Sequence, residues 1–353
     1  MKKMRRFLAV ITVVGLVAYI STRLHGQVGK KVDKPIATPQ ATVPAVPANL
    51  RAYEPTSTGR FGMPGVITYQ GIKGDAYFAL QVKPHLEKTP DQPRDYLIML
   101  STAATQAGAS WVAAHQLAEG IIDSAREFDR VSLWTLNEPK FTKNLTKDFL
   151  STKDFAENRR LRDALKQYRE KEYPSGSTDL KSALADAIKT FDSSKDRRRI
   201  IFFLGDGLST HNPMSDADRI TLAKQMVERR VAFFPVPLGV QVDPKTLHGL
   251  ANSTGGLVLR TDVGTEKVAD SIKRYHETFA GSILYSAKID LPADATNVCP
   301  TFLPPLRSDA PTLVVGQFKK LPKQIDYTIT GVLPGRKGDV TIKATEKTQA
   351  PSL

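Results

Sequence analysis

The 353-residue chain has a single cysteine, Cys299, so no internal disulfide can form and stability has to come from packing. Only an intermolecular bridge stays open to it. Six histidines, His25, His85, His115, His211, His248 and His276, show no metal-ligand spacing. No Gly-x-Ser-x-Gly elbow, phosphate-binding glycine loop or His-Glu-x-x-His pair is present. Serine-nucleophile, nucleotide and zinc-protease readings therefore lack their usual support. No internal repeat is found, and the apolar run at the amino terminus, residues 7–20, has only 14 residues. A full membrane span takes roughly 18 or more.

What is present begins with charge. Fifty Lys and Arg against 36 Asp and Glu give +14, but residues 1–34 hold eight of the bases and one acid, half of that surplus. The remainder has an ordinary surface. The densest later clusters, Arg159-Arg160-Leu-Arg162 and Lys195-Asp-Arg197-Arg198-Arg199, are interrupted by acids and read as solvated faces, so no nucleic-acid partner is expected. Basic residues 1–6 followed by the apolar run have the shape of a signal peptide or signal anchor over 1–26. The length favours a cleaved signal; the lack of an Ala-x-Ala site favours an anchor through 7–20. Either one exports the rest of the chain, leaving it membrane-anchored and facing out of the cytoplasm, or secreted or periplasmic. Pro35, Pro39, Pro44, Pro47, Pro55 and Pro64 make 27–65 a stiff, extended linker.

A β-hairpin is expected over 66–88, from the runs at Val66 and Ala76. Asp95-Tyr-Leu-Ile-Met-Leu-Ser101 then reads as a strand buried on both faces, followed by a small-residue loop and an amphipathic helix over 108–128. Strands follow at 130–136, 199–204, 231–238 and 256–260, with a short edge strand within 141–150. Helices fall at 153–172, 179–191, 216–230, 243–252 and 268–283. This alternation predicts an α/β fold with a doubly wound, mostly parallel sheet. From 284 to 347 only β patterns remain, at 284–291, 312–318, 325–330 and 339–344. An isolated hairpin is marginal, so 66–88 is expected to pair with this tail in a smaller β-sandwich, with the α/β domain inserted between.

In open parallel sheets ligands are met at the carboxyl ends of the strands. Three turns converge there: Ser101 to Thr105, Gly176-Ser-Thr178-Asp179-Leu180 and Gly205-Asp206-Gly207. In this order and spacing they resemble a von Willebrand factor A-type domain, the fold of integrin inserted domains and of inter-alpha-trypsin inhibitor heavy chains, over residues 94–283. Leu303-Pro-Pro-Leu306 followed by Thr312-Leu-Val-Val-Gly316 is similar to the region after that domain in heavy-chain-like proteins. The resemblance implies a divalent cation held by an Asp-x-Ser-x-Ser loop, a Thr and an Asp, and completed by a partner's carboxylate. This chain departs from it: the Asp place is Ser101, the first Ser place Ala103 and the second Thr105. Any magnesium shell would reduce to Thr105, Thr178 and Asp206, with Ser101 a weak addition.

Loss of a unit charge beside a divalent ion removes several kcal/mol at an effective dielectric near 20, so a metal-free, degenerate site without cofactor is expected. Thr178 or Asp179 has an alternative role as a helix cap and Asp206-Gly207 as an ordinary turn. The expectation is an exported, non-enzymatic adhesion or interaction module that binds another protein or an envelope component through Ser101, Ala103, Thr105, Thr178 and Asp206. The alternative is a structural scaffold subunit using other faces.

Overall fold

The computed structural model describes residues 65–71, 74–87, 92–192, 197–261 and 267–348. The signal or anchor and all of the proline-rich linker but residue 65 lie outside them. Among the described residues no helix is long and apolar enough to cross a membrane.

Six strands form the central sheet. β3 (Arg94–Ser101) lies between β4 (Arg130–Leu136) and β7 (Arg198–Gly205), and β8 (Val231–Pro237) borders β7, all parallel. Two-residue pairings, β5 (Lys143–Asn144) and β6 (Leu150–Ser151), add to β4 antiparallel. They stand where one edge strand within 141–150 was expected. The chain between them swings out through Lys147 at φ 67°.

Side-chain alternation assigns the helices to their layers. Tyr96, Ile98 and Leu100 of β3 enter one apolar cluster, packed by α1 (Ala109–Ser124), α2 (Phe155–Lys171) and α6 (Val268–Ala280). Leu97 and Met99 enter a second cluster, packed by α3 (Leu180–Thr190), α4 (Asp216–Glu228) and α5 (Pro244–Thr254). Each fully buried Leu, Ile or Phe contributes about 1.5–3 kcal/mol relative to exposure, which is how a chain without disulfides holds this layer.

The strand expected at 256–260 does not form. Among the described residues its backbone gives a single ladder bond, Leu259 N–H to the Pro235 carbonyl at 2.8 Å, and Pro235 and Pro237 of β8 have no N–H to return.

Beyond the α/β layer are two antiparallel sheets. In one, β1 (Val66–Gln70), β2 (Ala76–Val82), β12 (Thr312–Phe318) and β10 (Ala295–Cys299) lie in that order, with Ala76 opposite Phe318 and Val82 opposite Thr312. In the other, β11 (Leu306–Arg307), β9 (Ile283–Asp290), β13 (Gln324–Val332) and β14 (Asp339–Lys347) follow one another. Phe78, Leu80 and Val314 of the first sheet share an apolar cluster with Leu284, Ile325 and Ile329 of the second. β10 and β11 were not expected. The 295–299 stretch has little alternation, and a two-residue strand leaves no periodic signal.

α6 meets β3 through a polar contact inside this packing. Arg94 Nη1 lies 3.3 Å from His276 Nδ1, and Ser124 Oγ lies 2.7 Å from His276 Nε2. Ser124 also donates to the Gly120 carbonyl at 2.5 Å. The set is consistent with a neutral imidazole accepting at Nδ1 and donating at Nε2. Burial, and then Arg94, lower the His276 pKa to about 4, with Asp129 opposing and Arg126 adding to the depression. Between pH 6.5 and about 4 the unfolded chain binds a proton that the native one refuses. Stability is therefore complete above pH 6.5 and falls as pH drops through that window, by about 2 kcal/mol after allowance for solvent screening. Urea midpoints from pH 7 to 4.5 are expected to fall more steeply in the wild type than in His276→Gln; parallel slopes would refute the assignment.

Candidate functional site

The carboxyl ends of the central strands feed four loops that are hydrogen-bonded into one rim. After β3, the Ala104 N–H donates to the Gly176 carbonyl at 3.2 Å and the Ser175 N–H to the Thr102 carbonyl at 2.9 Å. Asn137, just past β4, clamps both chains: its amide donates to Thr102 O at 3.0 Å, Thr102 Oγ1 at 2.9 Å and Ser175 O at 2.8 Å. After β8, the Asp243 N–H donates to the Asp206 carbonyl at 2.8 Å. Gly176 at φ 67° and Gly207 at φ 76° take turns that side chains resist.

Asp206 is 1% exposed, yet its carboxylate is supplied with donors from its own chain. Oδ2 accepts from Thr105 Oγ1 at 2.5 Å and from Gln106 Nε2 at 3.0 Å, and Oδ1 accepts from the Leu208 N–H at 3.0 Å. Gln106 Nε2 also donates to the Leu238 carbonyl at 3.1 Å. Thr178, 2% exposed, donates its hydroxyl to the Leu208 carbonyl, and its own carbonyl accepts from the exposed His211's N–H at 2.9 Å. Asp179 caps α3 through the Ser182 N–H at 2.9 Å and also accepts from Asn212. Ser101 is buried against Gly205, where an added Cβ would meet the Ser101 Cβ at 2.7 Å. The Ser101 hydroxyl has no hydrogen-bond partner among the described residues.

The five residues singled out from sequence therefore reach one neighbourhood at the strand ends, on different terms. Ser101, Ala103, Thr178 and Asp206 are buried, and only Thr105 is exposed. Sequence reasoning missed Gln106 and Asn137. Gln106 is the one long polar side chain in a run of small residues, the only signal it carried. Asn137 follows a strand end directly and carried none.

A von Willebrand factor type A domain family matches residues 142–259. The inter-alpha-trypsin inhibitor heavy chain H2 of Sus scrofa is 22% identical over 258 residues, covering 71% of this chain and 26% of that protein. The heavy chain H2 of Mus musculus is 23% identical over 214 residues, covering 58% and 22%. A von Willebrand factor type A structure from Catenulispora acidiphila superposes with a TM-score of 0.55 at 14% identity, covering 78% of this chain and 69% of that one. This chain contains a von Willebrand factor type A domain. It spans about a quarter of the length of the heavy chains it matches.

Of the residues singled out from sequence, the A domain's rim offers the Asp206 carboxylate and the Thr105 and Thr178 hydroxyls, both hydroxyls already donating within the chain. Among the described residues no group of three or more His, Cys, Asp and Glu is placed to hold a metal ion. The Gln106 amide presents hydrogens, not lone pairs, to the Asp206 carboxylate. Above this locked base the surface is apolar in places: Val240 is fully exposed on the loop after β8, and Tyr173, two residues before Ser175, is 72% exposed.

Proposed function

We propose that this chain is an exported, non-enzymatic interaction module whose A domain binds another protein or an envelope component through the rim at the strand ends, without a metal ion. The observation that carries this reading is the engagement of both Asp206 oxygens by Thr105, Gln106 and the Leu208 N–H. A hard divalent cation needs several free oxygen ligands, and here the buried Asp206 carboxylate already accepts three hydrogen bonds from its own chain. The same bonding argues against catalysis, because among the described residues every hydrogen-bond partner of the carboxylate is a neutral donor and none is a titratable acid or base. Binding would then rest on the exposed crown of Thr105, Tyr173 and Val240. Export rests on the basic start and apolar run of residues 1–20.

The β layers at 66–88 and 284–347 are read as one sandwich into which the A domain is inserted. A second reading, a structural scaffold subunit, is favoured by two observations. Four of the five rim residues are buried, and the outer face of the β1–β2–β12 sheet exposes Ile67, Tyr69, Tyr77 and Leu313. Photo-crosslinking amino acids at Tyr173, Val240 and Leu313 of the full-length chain in its native host separate the two. Adducts at Tyr173 and Val240 that survive EDTA are the expected result. Adducts confined to Leu313 would replace the rim by the scaffold reading, and loss of the rim adducts in EDTA would remove the metal-free one.

A further inference from the structure

The opposite edge of the parallel sheet holds a cavity of about 430 Å³ that plays no part in the rim. It lies where β7 and β8 begin and where α3, α4 and α6 end. Five arginines line it, Arg197, Arg198, Arg199, Arg229 and Arg230, against two carboxylates, Asp192 and Glu228. Its remaining wall is apolar, with Phe234, Phe279, Ile283 and Leu333, and Tyr285 stands among them.

Helix capping explains part of this cluster. Arg198 Nη1 donates to the Phe279 and Gly281 carbonyls at 2.8 and 3.1 Å, at the end of α6. Arg199 Nη1 donates to the Arg229 carbonyl at 2.5 Å after α4, and Arg229 Nη1 to the Ile188 carbonyl at 3.4 Å in the last turn of α3. Arg197 is paired with Asp95 at 2.6 Å, and Asp192 is held by Arg130 at 2.9 Å. Among the described lining residues five arginines stand against two carboxylates, an excess of three positive charges. Three helix ends of about half a negative charge each offset only half of that.

Two residues lie outside the capping account. No side-chain partner of Arg230 is found among the described residues, and it takes φ 54°, where glycine is preferred. A long cation kept at a turn that favours glycine, on the wall of a positive cavity, asks for a reason beyond the turn. Tyr285 is 4% exposed and its hydroxyl has no hydrogen-bond partner among the described residues. Burial pushes its phenol up to about 12 against the pull of Arg307, Arg198, Arg230 and Arg199, so it stays a donor at neutral pH.

We infer that this cavity binds a phosphomonoester carried on an apolar body, with the phosphoryl oxygens taken by Arg230 and the Tyr285 hydroxyl and the body set against Phe234 and Leu333. The volume is that of a small-ligand site. A phosphate brings close to two charges and three terminal oxygens, which match the residual charge and the several donors better than a single carboxylate does.

Calorimetric titration of the full-length chain with phenyl phosphate, inorganic phosphate and benzoate tests this. Co-sedimentation with phosphatidylcholine vesicles containing phosphatidic acid asks whether the ester is soluble or a lipid headgroup. Phenyl phosphate is expected to bind saturably and about tenfold more tightly than inorganic phosphate or benzoate. Arg230→Gln and Tyr285→Phe should each weaken it by about tenfold with unchanged unfolding midpoints. Arg162→Gln, an equal charge loss on α2, should leave it unaltered. Retention on the acidic vesicles alone, lost in Arg230→Gln and Tyr285→Phe, would uphold the site and assign it to a lipid headgroup. No saturable binding to any probe, equal affinity in Arg230→Gln, or equal weakening by Arg162→Gln would overturn it.

Discussion

Asp95→Ala is expected to lower the unfolding free energy by about 3–5 kcal/mol, as loss of one partner of a buried ion pair does. Asp95 opens the central strand and is 0% exposed. Its carboxylate takes a bidentate pair from Arg130, at 2.9 and 2.7 Å, and a further bond from Arg197 Nε at 2.6 Å. Those arginines belong to β4 and to the approach to β7, so one carboxylate ties both neighbours of β3 at the same level. Its removal leaves two guanidinium groups facing each other near Arg199, whose own pKa burial already lowers. Asp95→Asn keeps an acceptor but no charge and should fall between wild type and Asp95→Ala. Urea midpoints measure all three. A loss below about 1 kcal/mol, typical of a solvent-exposed pair, would show that this cluster contributes little.

The layer around Asp95 was legible because each strand is an unbroken apolar run and each helix carries its period. Tyr96 to Leu100 needed no tertiary knowledge to be placed in a core. Helix starts were legible for a similar local reason: Asp154, Asp179, Ser215 and Asp243 each accept from a backbone N–H in the first turn that follows. Failure came where a partner decides the outcome. Gly256 to Arg260 has strand composition, but Pro235 and Pro237 withhold the ladder it would need. The rim shows the same limit. Turn residues such as Gly176 and Gly207 mark their places by backbone conformation alone, whereas Gln106 matters through Asp206 and Leu238, 100 and 132 residues away. Nothing local to residue 106 encodes those contacts, so the sequence showed where this chain departs from the cation loop it resembles and not which side chain bonds Asp206.

That bond sets the outcome of restoring the motif. The triple variant Ser101→Asp, Ala103→Ser, Gln106→Ala is expected to bind magnesium and manganese at least a hundredfold more tightly than the wild type, measured by calorimetry on the full-length chains. A carboxylate about 3 Å from a divalent ion gains roughly 10 kcal/mol at an effective dielectric near 20, and a quarter of that surviving desolvation is about a hundredfold in affinity. Ser101→Asp, Ala103→Ser without the third change should stay weak, because the Gln106 amide still directs its hydrogens at Asp206 Oδ2. Gln106→Ala alone should cost about 1–3 kcal/mol of stability through the buried groups it leaves unpaired, and gain no ion. If the wild type binds magnesium as tightly as the triple variant, the internal donors do not exclude the cation. If the triple variant keeps its fold and still binds nothing, then something besides the ligand set and Gln106 closes the rim, and the buried Thr178 under the Leu208 carbonyl becomes the group to test next.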